Sequence, residues 1–242
     1  MSTVRATLPF LSVERETPSF RVFGREALAF ARQAALLCRD LSATHAERAK
    51  HGDDVVVLLH GLFATAGVLR PLRRSIERES GAHTAWFSYA PGPGVETLAR
   101  RLSSLIDRLP AGVRIHLVGH SVGGLVARLF VQELGGHDRV VQTISVAAPF
   151  RGTRHARLMP GPAGRDISPG SALLERLERT AHRASSVPHL SIASACDSVV
   201  TESALFAYGD RMIVEHCGHN GLLYDPAVLS IIGRRIRGVR VC

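Results

Sequence analysis

Lysine is almost missing from this sequence: of 30 basic residues only Lys50 is a lysine, and the rest are arginines. Aromatic residues make up 5% of the 242, with a single Trp, and they are not interleaved with the arginines. A stacking platform for bases needs cations and rings together. The net charge of +9 therefore does not point to nucleic acid, and none is expected as a partner. Loose attraction to an anionic membrane face is the better second reading of that charge. The four cysteines, Cys38, Cys196, Cys217 and Cys242, form no Cys-x-x-Cys and no zinc spacing, so no metal site is expected from them. Cys196 and Cys217 fall near the ends of strands expected to be neighbours, and thiols rather than a disulfide are the default for the pair. No apolar stretch is long enough to cross a bilayer. The first twenty residues carry Arg5, Glu14, Arg15 and Glu16 without an apolar run, so no secretory signal is read and a reducing, cytoplasmic compartment is the default. Peripheral attachment at a membrane is left open.

What is present is an alternation of apolar runs with helical patterns. Residues 1–53 read as a loosely ordered arm followed by an Ala-, Leu- and Arg-rich helix from Arg25 to about Lys50. Its apolar residues Leu28, Ala31, Ala35, Cys38 and Leu41 fall at three- and four-residue spacing and predict the face that docks on the main domain. An in-plane membrane anchor is the alternative. From Asp54 the chain alternates buried strands (54–59, 84–89, 115–118, 140–148, 189–195, 211–216) with helices (66–79, 95–109, from Val122 to about Gly135, 172–182, 225–237). Near-continuous β-branched and aliphatic runs such as Asp54–Leu59 are how strands buried on both faces of a parallel sheet read. The expected fold class is therefore α/β, a mainly parallel twisted sheet with helices on both faces, over residues 54–242. Ligands of such sheets lie at the carboxyl ends of the strands. Residues 149–187 begin with a Gly- and Pro-punctuated stretch, too long for a plain connection, and read as a lid-like loop with a following helix.

Gly119-His120-Ser121-Val122-Gly123 stands between a strand and a helix, which is the setting of a nucleophile elbow. The pentapeptide alone is expected by chance roughly once in six chains of this composition, so its standing depends on the other parts. A serine hydroxyl needs a base, and the base needs an orienting acid. On this scaffold they follow in the order nucleophile, acid, histidine. Asp197 directly follows a strand and so emerges at the carboxyl edge. Asp210 and Asp138 precede strands and should emerge at the opposite edge, while Asp166, in the long loop, is not excluded. For the base, His219 follows the last strand in Cys217-Gly218-His219-Asn220-Gly221, where the glycines are expected to let the ring swing over the sheet; His216 is the runner-up. His120 reads as a packing residue at the elbow. His137, His155, His182 and His189 need no special role. Two backbone N–H groups should hold the developing negative charge: Val122, after the nucleophile, and Leu62, after the first strand, with His60 bracing that loop. Phe63, Phe150, Leu158 and Met159, with Leu62, are candidates for the walls of an acyl pocket.

Taken together, Leu59-His60-Gly61, the elbow with Gly124, Pro149-Phe150-Arg151-Gly152-Thr153, Ser168-Pro169-Gly170-Ser171, Asp197-Ser198-Val199-Val200 and Gly218-His219-Asn220-Gly221-Leu222 resemble the bacterial lipase and esterase group of the α/β-hydrolase superfamily over about residues 54–236. The resemblance implies hydrolysis of small-molecule or lipid-type esters through an acyl-enzyme, with Ser121 as nucleophile, Asp197 as acid and His219 as base, and no cofactor. Some such lipases hold a calcium ion through an acidic residue just after the histidine; here Asn220 and Gly221 follow, and that site is not carried over. An acyltransferase or thioesterase with the same triad, and a hydrolase-fold binding module with an inert elbow, are the alternatives. The sequence leaves the oligomeric state and the acyl chain length open.

Overall fold

In a computed structural model the chain is described at residues 20–44, 46–159, 161–201 and 204–238. Most of the expected N-terminal arm, and Cys242, lie outside these residues. Six strands, β1 (Asp54–Leu59), β2 (His83–Trp86), β3 (Arg114–His120), β4 (Val140–Val146), β5 (His189–Ser194) and β6 (Asp210–Val214), form one sheet in the order β2-β1-β3-β4-β5-β6. Every pairing is parallel. Seven α-helices are described: α1 (Phe20–Leu36), α2 (Arg70–Ser80), α3 (Val95–Ile106), α4 (Val122–Glu133), α5 (Pro162–Asp166), α6 (Ala172–Arg179) and α7 (Pro226–Gly238).

The period of two in each strand feeds two separate cores. Val55, Val57, Leu59, Ile115 and Leu117 point to one side and pack with α3, α4 and α6. Val56, Leu58 and Val118 point to the other and pack with α2 and α7. Both faces are covered, which is why β1 reads as an unbroken apolar run. The chain leaves the sheet in one direction from β1 to β2 and in the other from β3 onward. The loops after β1 and β3 therefore part at a switch point, with Leu59 opposite Gly119 in register. That crevice is where ligands of open parallel sheets bind.

Three expectations need correction. The first helix ends at Leu36, not near Lys50, and its packing face is reversed. Val22 and Ala29 are buried, with Glu26, Gln33 and Leu36 half-buried beside them, whereas Leu28, Ala31, Ala35, Cys38 and Leu41 are all exposed. Spacing identified an apolar stripe, but the inward stripe is held partly by polar bonds. The 149–170 stretch is not structureless either. It holds a 3-10 turn at Arg154–Leu158 and α5, whose Asp166 caps α3 by accepting from Val95 N at 2.7 Å. The helix expected over 172–182 is broken at Thr180, with α6 ending at Arg179 and a 3-10 turn over Ala181–Ala184.

Candidate active site

Ser121 sits between β3 and α4 with φ 52° and ψ −123°, a region that a residue with a Cβ occupies only when its surroundings impose it. The imposing contacts are visible. Ser121 N donates to Val146 O at 2.8 Å, tying the turn to β4. A Cβ on Gly119 would lie 2.3 Å from Gly123 C, and one on Gly123 would lie 2.5 Å from Leu59 O, so only glycine lets helix, elbow and β1 approach this closely. The Ser121 hydroxyl does not cap α4. That helix begins at Val122, directly after the elbow, and a helix N-terminus favours negative charge.

Asp197 follows β5 and His219 follows β6, adjacent strands at the same edge. Their side chains meet: His219 Nδ1 lies 2.7 Å from Asp197 Oδ2, and both residues are buried. The other oxygen, Oδ1, accepts from Val199 N at 2.7 Å and Val200 N at 2.8 Å. Asp197 is thus both a turn residue and the partner of the imidazole. The competing residues are held elsewhere. Asp210 pairs with Arg235 at 2.6 Å, Asp166 caps α3, and His216 bonds Asp225 at 2.7 Å.

The loop after β1 is braced from below. The His60 ring stacks on Tyr89 at 3.7 Å. Its Nδ1 donates to Gly61 O at 2.7 Å while its Nε2 accepts from Tyr89 N at 3.1 Å, and Tyr89 Oη donates to His60 O. This pattern requires the neutral tautomer with the proton on Nδ1, and burial pushes the His60 pKa down to about 4. His120 lies between the loops that follow β1 and β6. A Cβ on Gly61 would lie 3.0 Å from His120 Nδ1 and 3.1 Å from Ser121 Cβ. On its other side His120 Nε2 donates to His219 O at 3.4 Å, with the rings 4.9 Å apart. Burial, then the neighbouring His219, hold His120 well below its ordinary pKa.

A pH dependence of stability follows. An unfolded histidine titrates near 6.5, so between there and pH 4 the unfolded chain binds the proton that His60 refuses. Stability is complete above about pH 6.5 and declines as pH falls toward 4, by roughly 3 kcal/mol from His60 alone. The urea midpoint is expected to drop steadily from pH 7 to pH 4.5, and equal midpoints at pH 7 and 5 would contradict this account.

The candidate pocket residues do not gather on one wall. Phe63, with φ 57° and largely exposed, lines a groove of about 470 Å³ with Leu37, Leu41 and Pro91. Phe150 is withdrawn into an aromatic cluster with Phe206 at 4.9 Å and His189 at 5.7 Å. Leu158 is exposed at the end of its 3-10 turn, and Met159 packs on the core. His189, expected to need no special role, is buried and bonds Thr143 Oγ1 at 2.6 Å. Cys217 is a buried thiol pushed up to about 12 chiefly by burial, and Cys196 Sγ donates to Glu215 O. One side chain at this edge carries no sequence signal. Glu26, on α1, accepts from Asn220 N at 2.8 Å, Asn220 Nδ2 at 3.0 Å and Gly221 N at 2.9 Å. Its partners lie more than 190 positions away, beyond any local pattern.

No protein-family model matches the sequence, and no curated protein does. Solved structures do resemble it. The mature form of the Bacillus licheniformis lipase BlEst2 is 13% identical, with 76% of this chain and 92% of that one covered at a TM-score of 0.64. Phospholipase PlaB from Legionella pneumophila is 14% identical over 77% of this chain at a TM-score of 0.64, and the match spans only 60% of PlaB. Est1E from Butyrivibrio proteoclasticus is 15% identical, covering 78% and 87% at a TM-score of 0.55. Likeness at these identities is likeness of fold, and with the switch-point elbow it leads to one statement: the chain has the α/β-hydrolase fold.

Proposed function

We propose that this protein hydrolyses carboxylic esters, lipid esters among them, through an acyl-enzyme on Ser121. The observation that carries the reading is the strained elbow at the mouth of α4, after β3, on the same edge of the parallel sheet as a buried His219–Asp197 pair at 2.7 Å. In the first step Ser121 Oγ attacks the ester carbonyl carbon while its proton passes to His219 Nε2. Asp197 holds His219 in the tautomer that leaves Nε2 free to receive it. The carbonyl oxygen, now an anion, is held by the N–H groups of Leu62 and Val122. Collapse breaks the bond to the alcohol oxygen, which leaves with the proton from His219. A water molecule then gives its proton to His219 and attacks the acyl carbon, and the returning proton restores the Ser121 hydroxyl as the acid departs. Reaction of the folded protein with a fluorophosphonate probe tests the reading. Stoichiometric labelling at Ser121 is expected, and its absence would favour an inert binding module. An alcohol or thiol acceptor outcompeting water in turnover would move the activity to acyl transfer.

The lipid part of the reading is supported by α1. Its outward half, Phe20, Phe23, Ala27, Phe30, Ala31 and Ala34, is exposed and carries no charge, while its polar Glu26 and Gln33 face the protein. This is the inverse of an ordinary surface helix. Arg25 and Arg32 border the apolar side, and the whole chain carries +9, which suits an anionic bilayer as the occupant. Sedimentation with phosphatidylglycerol vesicles is expected to carry the protein down, and neutral vesicles much less. Phe23→Ser with Phe30→Ser should weaken that binding at least about tenfold and leave turnover of a short soluble ester unchanged. Equal sedimentation of variant and parent would assign the contact to another surface.

A further inference from the structure

We infer that Glu26 is a positioning residue for the candidate base His219, and that α1 acts as the strut that delivers it. The inference rests on the catalytic reading of His219 given above.

The loop after β6 offers the Glu26 carboxylate an unusually complete seat. Three N–H donors converge on it, two from backbone and one from the Asn220 side chain, and hydrogen bonds to a charged acceptor are the stronger kind. The glycines on either side of His219 make room for it. A Cβ on Gly218 would lie 2.7 Å from Glu26 Oε2, and one on Gly221 would lie 3.2 Å from the same atom. Those glycines leave room for the close approach of a carboxylate. His219 is bracketed: its own carbonyl takes the His120 donor, the next two N–H groups are taken by Glu26, and its ring is taken by Asp197.

The strut is itself anchored on both sides of the crevice. Toward the histidine loop, Gln33 Nε2 donates to Asn220 Oδ1 at 2.7 Å, and Arg25 donates to His216 O at 2.8 Å. Toward the loop after β1, Thr65 Oγ1 donates to Leu37 O at 3.0 Å, and Gly67 lies so close that a Cβ there would meet Leu36 O at 2.2 Å. Asp40, just beyond the helix, pairs with Arg70 at 2.7 Å. One helix thus holds fixed the distance between the loop carrying the candidate oxyanion donor and the loop carrying the candidate base. With Glu26 removed, the Asn220 and Gly221 N–H groups lose their acceptor, and a displacement of about 1 Å at a reacting group is enough to cost on the order of 10²-fold in rate.

The test compares Glu26→Ala, Glu26→Gln and Ile106→Val, the last a small core loss on α3, on the side of the sheet away from α2 and α7. Amide exchange at Asn220 and Gly221, turnover of a short p-nitrophenyl ester, and the rate of fluorophosphonate labelling are measured on the full chain. Glu26→Ala should speed exchange at those two amides at least tenfold and lower kcat and labelling by about 10- to 100-fold, with KM within twofold. Glu26→Gln, which keeps one acceptor oxygen, should fall between, and Ile106→Val should stay within twofold of the parent in kcat. Unchanged exchange in both Glu26 variants would refute the seat. Faster exchange with parental labelling, or an equal loss of kcat in Ile106→Val, would refute the positioning role. A parent that is not labelled at all would instead overturn the catalytic reading, while exchange would still report on the seat.

Discussion

Replacing Ser121 by Ala is expected to lower ester hydrolysis by at least about 10³-fold, with the urea midpoint essentially unmoved. The two halves of that expectation have separate causes. Alanine keeps the Cβ that the elbow already accommodates at φ 52°, and the tie from residue 121 N to Val146 O is a backbone bond. Nothing that shapes the turn is lost. The atom removed is Oγ alone, and with it the proposed covalent path. What survives is binding and the N–H groups around the oxyanion, which by themselves give only a small part of such an enzyme's rate. Turnover of p-nitrophenyl esters measured beside urea denaturation checks both halves, and a loss of only a few fold would put the nucleophile elsewhere.

Asp197→Asn should damage turnover by about 10⁴-fold, far more than Asp210→Asn, which should stay within about twofold. The asparagine oxygen would keep the bonds from Val199 N and Val200 N, which leaves its NH₂ facing His219 Nδ1. A donor there forces the imidazole proton onto Nε2, the atom that accepts from Ser121 in the proposed mechanism. Asp210, by contrast, sits at the amino edge of β6 in a solvent-exposed pair with Arg235, and exposed pairs contribute little. Equal losses in the two variants, measured as kcat/KM on one ester, would overturn the assignment of the acid.

The same contrast between Asp197 and Asp210 displays what could be read without coordinates. In a parallel sheet the order of strand and loop decides the edge at which a residue emerges, so two aspartates of one loop region separate by topology alone. The strands themselves were legible because burial on both faces leaves runs such as Val55–Leu59 with no polar interruption. The orientation of α1 was not. Its sequence has apolar positions all round, and periodicity reports where those positions are but not which of them a neighbour will cover; the decision came from Glu26 and Gln33, whose partners on the β6 loop are distant in sequence. The short helices of the 149–170 stretch were hidden for a different reason. Its many glycines and prolines punctuate one-turn elements too brief to establish a period.

The Glu26 contact also has a consequence for the timing of biogenesis. It joins residues 194 positions apart, and translation at 5–20 residues per second puts about 10–40 s between their syntheses. During that interval the Glu26 carboxylate lacks its three donors. The β1–β3 pairing, which brings Asp54 opposite Arg114, can close much earlier. The crevice is therefore framed first and completed last, when the β6 loop leaves the ribosome and takes hold of a helix made 194 positions earlier. A nascent chain halted before Asn220 would carry the elbow and its strand but have no seat for Glu26.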